Sequence, residues 1–378
     1  MKASVIILSY NQKELIQACL FSLSQQCLDE GDQFEVVVID NGSVDGTGDL
    51  ISRHTYNFPL QYQYIPASEH SSRAIARNRG ITAAVGKVVI FLDGDQLAGP
   101  DFVYEHLRVH KRAEGKLVIG FRRYLPEESI DIKELHPGWV QAALSSSEAD
   151  ERFRLMEYFS ENGSVFRTAW HLSFNCNFSA NKDLLIQSGM LDEEFKGWGL
   201  EDSELGYRLY KAGGKFIVNK KAMTFHIFHP SEFDENRYAG WKSNLDYFIK
   251  CHPIFEVQAQ SILKDFFDPG VRKSWWDCYI RFEKVVRAHL SYDGDRLPVS
   301  IIVAYTGGSE LIQKISEEAA DREVLVIDKT SSSDLDIFCQ FIHEDYDVLY
   351  YRQPSEEQLI ELYHRYAARG IAKHDIFR

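Results

Sequence analysis

Val88-Val-Ile-Phe-Leu-Asp93-Gly-Asp95-Gln96 decides the fold, because it is an apolar strand that ends in two carboxylates one residue apart. A run of five apolar residues is too short to cross a membrane and is typical of a strand buried on both faces of a parallel sheet. Ligands of such sheets lie beyond the carboxyl ends of the strands, so Asp93 and Asp95 should face that crevice. A divalent cation or a shifted pKa usually relieves their mutual repulsion. Considered alone, an acidic turn with ordinary capping duties is an equally good interpretation.

The composition indicates a globular chain with several packed units, since 378 residues exceed one typical domain. Its 42 Lys and Arg against 56 Asp and Glu give a net charge of −14, which disfavours nucleic acid or anionic lipid as a partner. The sequence has no charged-then-apolar leader and no run of about 18 apolar residues, so it predicts neither secretion nor an integral membrane segment. Its 6 cysteines are scattered without CxxC spacing, which predicts reduced thiols and a cytoplasmic location.

The residues before this stretch follow a βαβ pattern. Ser4–Ser9 is a buried strand with an amphipathic helix behind it, Phe34–Asp40 is a second strand, and Gln61–Ile65 is a third. Asp40 ends the second strand and is followed by the turn-rich loop Asn41–Gly48. A carboxylate in this position can accept hydrogen bonds from a base or a ribose, although capping of the next helix is the plain alternative.

An arginine-rich helix is predicted from about Ser71 to Ile81. In an acidic chain it is the best local site for a diphosphate, because guanidinium groups match phosphate oxygens. Arg79 is interpreted as a solvated surface residue. Arg73 and Arg77 are the candidate phosphate ligands, since the alanines around them indicate a helix packed against the sheet.

Four motifs in this order and spacing resemble those of family 2 glycosyltransferases of the GT-A fold: Val5–Tyr10, residues 38–47, Ala76–Ile81 and Phe91–Asp95. The resemblance implies an α/β fold with a Rossmann-like mixed sheet flanked by helices, and a nucleotide-sugar donor. Many members carry a run of consecutive acids at the last motif, whereas this chain has Asp-Gly-Asp-Gln, so the division of roles between its two carboxylates is open. The resemblance further implies the following contacts: the base near Tyr10 and Asp40, the diphosphate near Arg73 or Arg77, the ribose at Asp93, and manganese or magnesium at Asp95.

A second informative stretch is Gly189–Asp202, in which Gly197 and Gly199 flank Trp198. The tryptophan therefore lies on a loop where its ring can serve as a sugar platform. Glu201 and Asp202 begin a predicted helix, where acids also complement the helix dipole. The segment resembles the Gly-Trp-Gly-x-Glu-Asp motif shared by galactosyltransferases and polypeptide N-acetylgalactosaminyltransferase-like domains. That resemblance implies an acceptor beside Trp198, Asp202 as general base, and Glu201 as the residue that holds acceptor hydroxyls.

Two predicted strands, Lys215–Val218 and Ala222–Phe225, lead into His226-Ile-Phe-His229. Histidines three residues apart at a strand end are reasonable ligands for manganese, although a lone histidine is more often packed or hydrogen-bonded. Related transferases place a metal-binding histidine at this distance after the Gly-Trp-Gly motif, which implies His226. His229 is the fallback ligand and is otherwise interpreted as structural or as a phosphate contact.

The predicted domains are a catalytic domain, a helical subdomain and a partial repeat. Residues 1–230 form the catalytic domain, with a nucleotide-binding half (1–100) and an acceptor and base half (170–230). Glu148–Phe159 within it is helix-prone and interpreted as a solvated element or flap. Residues 231–297 are rich in aromatic residues at helical spacing and form the subdomain.

Residues 298–378 repeat the beginning of the chain. Ser300–Tyr305 echoes Ser4–Tyr10, and Arg322–Asp328 echoes Phe34–Asp40, before the sequence ends where a second Phe-Leu-Asp-Gly-Asp would begin. This predicts a partial βαβ unit without metal-binding acids. Two interpretations stay open: a degenerate domain that serves contacts, including homo-oligomer formation, or the first part of a second transferase in a two-domain polymerase.

The predicted function is that of an inverting hexosyl- or N-acetylhexosaminyltransferase, which moves a sugar from a UDP-sugar to an acceptor hydroxyl. A glycan is the default acceptor, and a peptide or lipid-linked acceptor stays open. Direct displacement at the anomeric carbon requires a base, while a metal and arginines stabilise the leaving diphosphate. The alternatives are a noncatalytic nucleotide-sugar-binding or assembly subunit, and a nucleotidyltransferase.

Overall fold

The computed structural model describes two compact units of the chain. The first consists of Met1–Asp150 and Trp170–Cys278, and the second of Glu151–Ala169 and Tyr279–Arg378. The residues described within them are 1–67, 72–112, 115–127, 129–153, 166–230, 234–271, 273–290, 299–320, 322–331, 348–367 and 371–377.

These units differ from the predicted three-part division, because the aromatic helices up to Cys278 belong to the first unit. The reason is packing: the ring of Phe248 contacts those of Trp170, Phe195 and Tyr207, which all lie in the predicted catalytic domain. Phe248 thus packs within the core of the first unit.

A nine-stranded mixed sheet organises the first unit. Along its main path the strand order is β3-β2-β1-β4-β8-β6-β9-β5, and β7 pairs with β6. The first four strands of this path are parallel, whereas β8 is antiparallel to both β4 and β6. The strands are β1 (Lys2–Ser9), β2 (Gln33–Asp40), β3 (Leu60–Tyr64), β4 (Val88–Asp93), β5 (Gln96–Ala98), β6 (Lys116–Tyr124), β7 (Glu148–Ala149), β8 (Asn177–Asn181) and β9 (Lys215–His226).

Two local predictions about this sheet are wrong. The two strands expected between Lys215 and Phe225 are the single strand β9, because a shift in its register against β6 between Gly120 and Phe121 absorbs the intervening residues. The helix expected from Glu148 begins only at Glu151, because Glu148–Ala149 form strand β7, which pairs with the end of β6. Residues 154–159 of that predicted helix lie outside the described residues.

Helices cover both faces of the sheet, as the α/β prediction requires. Gly80 shows how closely they pack, because a Cβ atom there would lie 2.4 Å from Cγ2 of Ile6 in β1. Of the helices that the structure describes, none is long and apolar enough to cross a membrane. The helices up to residue 290 are α1 (Lys13–Leu23), α2 (Thr47–Arg53), α3 (Arg73–Ala83), α4 (Phe102–His110), α5 (Trp139–Ser146), α6 (Lys182–Gln187), α7 (Glu201–Lys211), α8 (Glu235–Cys251), α9 (Phe255–Gln258), α10 (Lys264–Phe267) and α11 (Trp275–Leu290), with 3₁₀ turns at Ala169–Leu172 and Ala259–Leu263.

The second unit contains a smaller sheet of four parallel strands. Its order, β12-β11-β10-β13, matches the order β3-β2-β1-β4 of the first unit. Its elements are β10 (Val299–Ala304), α12 (Ser309–Glu318), β11 (Val324–Asp328), β12 (Val348–Arg352), α13 (Glu356–Ala367) and β13 (Ile371–Phe377).

Candidate active site

Asp93 is the last residue of β4, and Asp95 lies in the short link between β4 and β5. Gly94 separates them, and a Cβ atom there would lie 2.9 Å from the carbonyl oxygen of Leu8, so this approach to β1 requires glycine. β5 pairs antiparallel with β9, with Gln96 opposite His226. The N–H of Ile227 donates to the carbonyl oxygen of Asp95 at 2.9 Å. This pairing brings the end of β9 to Asp95.

Asp95, His226 and His229 form a cluster that fits a divalent cation. Oδ2 of Asp95 lies 3.1 Å from Nε2 of His229 and 3.5 Å from Nε2 of His226. One ligand atom from each residue lies within 4.8 Å of the other two. Oδ1 of Asp95 is buried and, within the part of the chain that the structure describes, has no hydrogen-bond partner. A carboxylate and two imidazoles suit manganese, so these residues fit the metal that the sequence predicts.

The charges of this cluster are mutually stabilised. Burial acts to raise the pKa of Asp95, but hydrogen bonds from His226 and His229 outweigh it and hold that pKa well below its usual range. The bond to Asp95 raises the pKa of His229. Asp95 is therefore an anion at neutral pH. His229, the fallback ligand of the sequence prediction, lies closer to Asp95 than His226 does.

Arg77 joins the two halves of the site. Its side chain is buried and donates to Oε1 of Glu201 at 3.0 Å and to Oδ1 of Asp93 at 3.3 Å. Helix α3 positions it, since Oγ of Ser72 caps this helix by accepting the N–H of Ile75. Its guanidinium is thus already engaged by two carboxylates, whereas Arg73 is exposed and electrostatically coupled to Asp93. The proposed phosphate role therefore suits Arg73 better than Arg77.

The candidate nucleoside contacts lie where β1 and β2 end. Tyr10 is 58% exposed, whereas Asp40 is 1% exposed. The carboxylate of Asp40 accepts the N–H of Ser43 at 2.8 Å and the hydroxyl of Tyr62 at 2.7 Å. In this structure Asp40 thus holds the loop after β2, and contact with a base stays a prediction.

The acceptor loop has an unusual backbone. Gly197 and Gly199 have φ angles of +70° and +93°, which glycine adopts without strain. Leu200 has a φ of +73°, a conformation that costs a leucine about 1–3 kcal/mol. The ring of Trp198 meets that of Phe267 edge to face at 5.8 Å. The glycines predicted to give this loop its shape do so, and the strained Leu200 shows that surrounding contacts enforce it.

Asn244 of α8 supplies such contacts. Its Nδ2 donates to the carbonyl oxygens of Lys196 at 2.9 Å and Gly199 at 2.8 Å, and its Oδ1 accepts the N–H of Lys196 at 3.3 Å. The side chain is 5% exposed, so water cannot easily replace these bonds. It therefore anchors both ends of the loop that carries Trp198.

Substituting Asn244→Ala should loosen this loop. We expect unfolding to become easier by about 1–3 kcal/mol, because backbone groups lose their partners. We also expect a higher acceptor KM with unchanged nucleotide affinity. Thermal melts and steady-state kinetics check both, with exposed Lys242→Ala on the same helix as the control. An unchanged acceptor KM would contradict a role for Asn244 in holding the loop.

Asp202 has the electrostatics of a base. It is partly buried at the start of α7, directly after Glu201, and its Oδ1 accepts the N–H of Ser203 at 2.8 Å. Burial and the charge of Glu201 raise the pKa of Asp202 to about 7, against the attraction of Arg77. A carboxylate with a pKa near the working pH can accept a proton and release it again. The N-cap residue of α7 is Leu200, and both acids lie in the first turn, where they also complement the helix dipole.

Comparison with known proteins identifies the chain. Residues 4–179 match the model of the family "Glycosyl transferase family 2". The chain belongs to this family. It is 30% identical over 262 residues to "Uncharacterized glycosyltransferase YfnE" of Bacillus subtilis strain 168, covering 61% of this chain and 66% of the relative. It is 31% identical over 260 residues to "Validoxylamine A glucosyltransferase" of Streptomyces hygroscopicus subsp. limoneus, covering 66% and 56%.

Other relatives include the "Chondroitin synthase" of Escherichia coli, at 27% identity over 276 residues, covering 68% of this chain and 40% of the relative. The chain thus spans less than two thirds of the length of these relatives. Among solved structures, residues 1–349 of S. aureus TarS match with 17% identity and a TM-score of 0.51, covering 76% of this chain and 83% of that one. The predicted GT-A fold is confirmed.

One further residue of the candidate site is not predicted from the sequence. Arg122 donates from Nε to Oδ2 of Asp150 at 2.8 Å and from Nη1 to Sγ of Cys176 at 3.3 Å, and it contributes to the potential at Asp93. The sequence predicts a strand at Lys116–Phe121, whereas the observed strand β6 continues to Tyr124. Two arginines directly after an apolar strand of an acidic chain were the signal that could have revealed it.

Proposed function

We propose that the protein is an inverting, metal-dependent glycosyltransferase that moves a sugar from a UDP-sugar to an acceptor hydroxyl of a glycan. The observation that carries this proposal is the bridge from Arg77 to Asp93 and Glu201. It joins the acids at the end of β4 to the start of α7, where Asp202 is the next residue. A base and a diphosphate site within one cleft are what direct displacement at an anomeric carbon requires.

In this mechanism Asp202 acts in its carboxylate form. It takes the proton from the acceptor hydroxyl while that oxygen bonds to the anomeric carbon and the bond to the nucleotide diphosphate breaks on the opposite face. Trp198 orients the acceptor sugar, and Glu201 accepts from its neighbouring hydroxyls. Arg73 and Arg122 supply positive charge for the departing diphosphate. A divalent ion held by Asp95, His226 and His229 would supply further charge neutralisation there.

The donor and the acceptor are proposed as classes of molecule, a UDP-sugar and a glycan. One relative is named for glucosyl transfer and another for chondroitin synthesis, which supports a sugar donor and gives acceptors that differ among relatives. Tyr10 and Asp40, at the ends of β1 and β2, are the proposed nucleoside contacts. A cytoplasmic location and a homo-oligomer formed through residues 298–378 stay predictions from the sequence.

Two rival functions fit the site less well. A noncatalytic binding or assembly subunit has no need for a carboxylate whose pKa is raised to about 7 beside an acceptor loop. A nucleotidyltransferase would use the nucleotide half of the site but has no use for Trp198 on its strained loop.

A donor panel tests the proposal. The protein is incubated with manganese and UDP-glucose, UDP-galactose or their N-acetyl forms, together with an oligosaccharide mixture. Free UDP and the product mass are then measured. We expect UDP release with one donor, accompanied by a product heavier by one sugar. Binding of donors without release of UDP would support the assembly subunit, and release of pyrophosphate from a nucleoside triphosphate and a sugar phosphate would support the nucleotidyltransferase.

A further inference from the structure

The strands of the second unit reproduce the register of the nucleotide half of the first. In the first unit Ser9 lies opposite Asp40, and in the second Ala304 lies opposite Asp328. These pairs make Tyr305 the counterpart of Tyr10. The structural alignment therefore agrees with the sequence repeat at the two tyrosines. As a result Ser300 corresponds to Val5, one position later than the sequence echo suggests.

The hydrogen bonds around the two aspartates also match. The hydroxyl of Tyr62 donates to Oδ2 of Asp40 at 2.7 Å, and that of Tyr350 donates to Oδ2 of Asp328 at 2.6 Å. A loop N–H donates to Oδ1 in both units, from Ser43 at 2.8 Å and from Thr330 at 2.8 Å.

Two main-chain bonds repeat as well. The residue after each aspartate donates to the end of the first strand, Asn41 to Ser9 at 2.9 Å and Lys329 to Ala304 at 2.7 Å. The carbonyl oxygen of each aspartate accepts the N–H that follows the third strand, at 2.8 Å in the first unit and 2.7 Å in the second. Three of these four bonds join corresponding residues, whereas the loop N–H comes from the third residue after Asp40 and from the second residue after Asp328. The strand ends at the proposed nucleoside contact are thus arranged alike in the two units.

Two side chains of the second unit that a ligand could contact lie next to these hydrogen-bonded residues. Tyr305 is 52% exposed, close to the 58% of Tyr10, and an exposed ring at a strand end can stack on a base. Thr330 is 4% exposed, and its Oγ1 is buried with no hydrogen-bond partner among the described residues. A buried hydroxyl of this kind favours a polar ligand, because an unmade hydrogen bond is costly.

The charges of the second unit differ from those of the first in a way that favours phosphate. The strand registers place Lys329 and Arg352 where the first unit has Asn41 and Tyr64. They place Ile376 opposite Val303, where the first unit has Asp93 opposite Leu8. The first unit thus presents acids that need a cation before they can accept a diphosphate, whereas these positions of the second unit present cations and no acid.

We propose that the second unit binds a nucleoside diphosphate without a divalent ion, through Tyr305, Thr330, Lys329 and Arg352 at the carboxyl ends of β10, β11 and β12. This proposal rests on the proposed function, because the site in the second unit is inferred from the nucleoside contact proposed for the first unit.

Calorimetric titration of the whole chain with UDP tests this. In EDTA we expect one UDP bound per chain, and in manganese a second. Tyr305→Ala and Arg352→Glu should each weaken the EDTA-resistant binding about tenfold or more, the first by loss of stacking and the second by charge reversal. Both side chains are exposed, so the variants should fold, which circular dichroism checks.

Tyr10→Ala is the matched control in the first unit. It should weaken only the manganese-dependent binding and leave the EDTA-resistant component intact. Absence of UDP binding in EDTA, or EDTA-resistant binding that Tyr10→Ala removes and Tyr305→Ala does not, would overturn the proposal. Failure of the manganese-dependent component alone would count instead against the proposed function of the first unit.

Discussion

Asp202→Asn should reduce kcat about 10²–10⁴-fold while manganese-dependent UDP binding stays unchanged. The substitution keeps the shape of the side chain but removes the negative charge, and an amide oxygen is too weakly basic to take up the proton. The affinity for UDP should not change, because the proposed donor contacts lie at the ends of β1, β2 and β4 and on α3. Turnover is measured by UDP release and binding by calorimetry. Asp183→Asn, at an exposed acid near the start of α6, is the control.

The pH dependence provides a second measurement of the same group. Since the pKa of Asp202 is raised to about 7, the carboxylate form is lost as the pH falls below that value, and kcat of the native protein should fall with it. The residual activity of Asp202→Asn should lack this acidic limb. If kcat of the variant still fell below pH 7 in the same way, another group would cause the decrease, and Asp202 would not be the base.

As the pH rises from about 4 to 7, the titration of Asp202 should lower the stability of the fold while it raises kcat. A carboxyl group whose pKa is higher in the folded than in the unfolded state lowers stability as the pH rises from about 4 to 7, because the unfolded chain releases the proton more readily. Asp202→Asn should therefore melt at a higher temperature than the native protein at pH 8 and at a similar temperature near pH 4. A lower melting temperature at pH 8 would indicate that Arg77 stabilises Asp202 more than burial destabilises it.

Asp95→Ala should abolish manganese-dependent UDP binding. The variant removes the carboxylate that lies within 3.5 Å of both histidines, leaving two imidazoles with no anionic partner from the cluster. Titration with manganese alone, followed by UDP with and without manganese, measures the loss. Asp101→Ala, at an exposed acid just before α4, is the control and should bind both normally. Full manganese affinity in Asp95→Ala would place the metal elsewhere.

The same titration measures how much His226 and His229 each contribute to manganese binding. The sequence resemblance favours His226, whereas the shorter distance to Asp95 favours His229. If both are ligands, His226→Ala and His229→Ala should each weaken manganese binding at least tenfold. A loss confined to one of them would identify the ligand and leave the other as a hydrogen-bond donor to Asp95.

The sequence predicted those parts of the site that depend on a single strand or loop. The buried run before Asp93, the acid at the end of β2 and the glycines around Trp198 are local patterns, and periodicity or turn chemistry reveals them. Contacts between distant segments leave no such pattern. Arg77 and Glu201 are 124 positions apart, and only the packing of α3 against the start of α7 brings them together.

Geometry that depends on the pairing of distant strands also leaves no pattern in the sequence. Spacing along the chain favours His226 as the metal ligand, whereas the pairing of β5 with β9 decides how far each ring lies from Asp95. Arg122 is not predicted, because the strand expected at Lys116–Phe121 ends with the last apolar residue. Its ion pair with Asp150 lets the strand continue with charged residues at the edge of the site.

The Arg77 bridge also bears on how the chain can be divided. The segment that matches the family model ends at residue 179, before Glu201 and before β9, which pairs with both β6 and β5. A fragment limited to that segment would leave Arg77 buried with one of its two carboxylates missing, and breaking a buried pair costs about 3–5 kcal/mol. The region by which the family is recognised is therefore not an autonomous folding unit. Its integrity depends on residues that follow it in the chain.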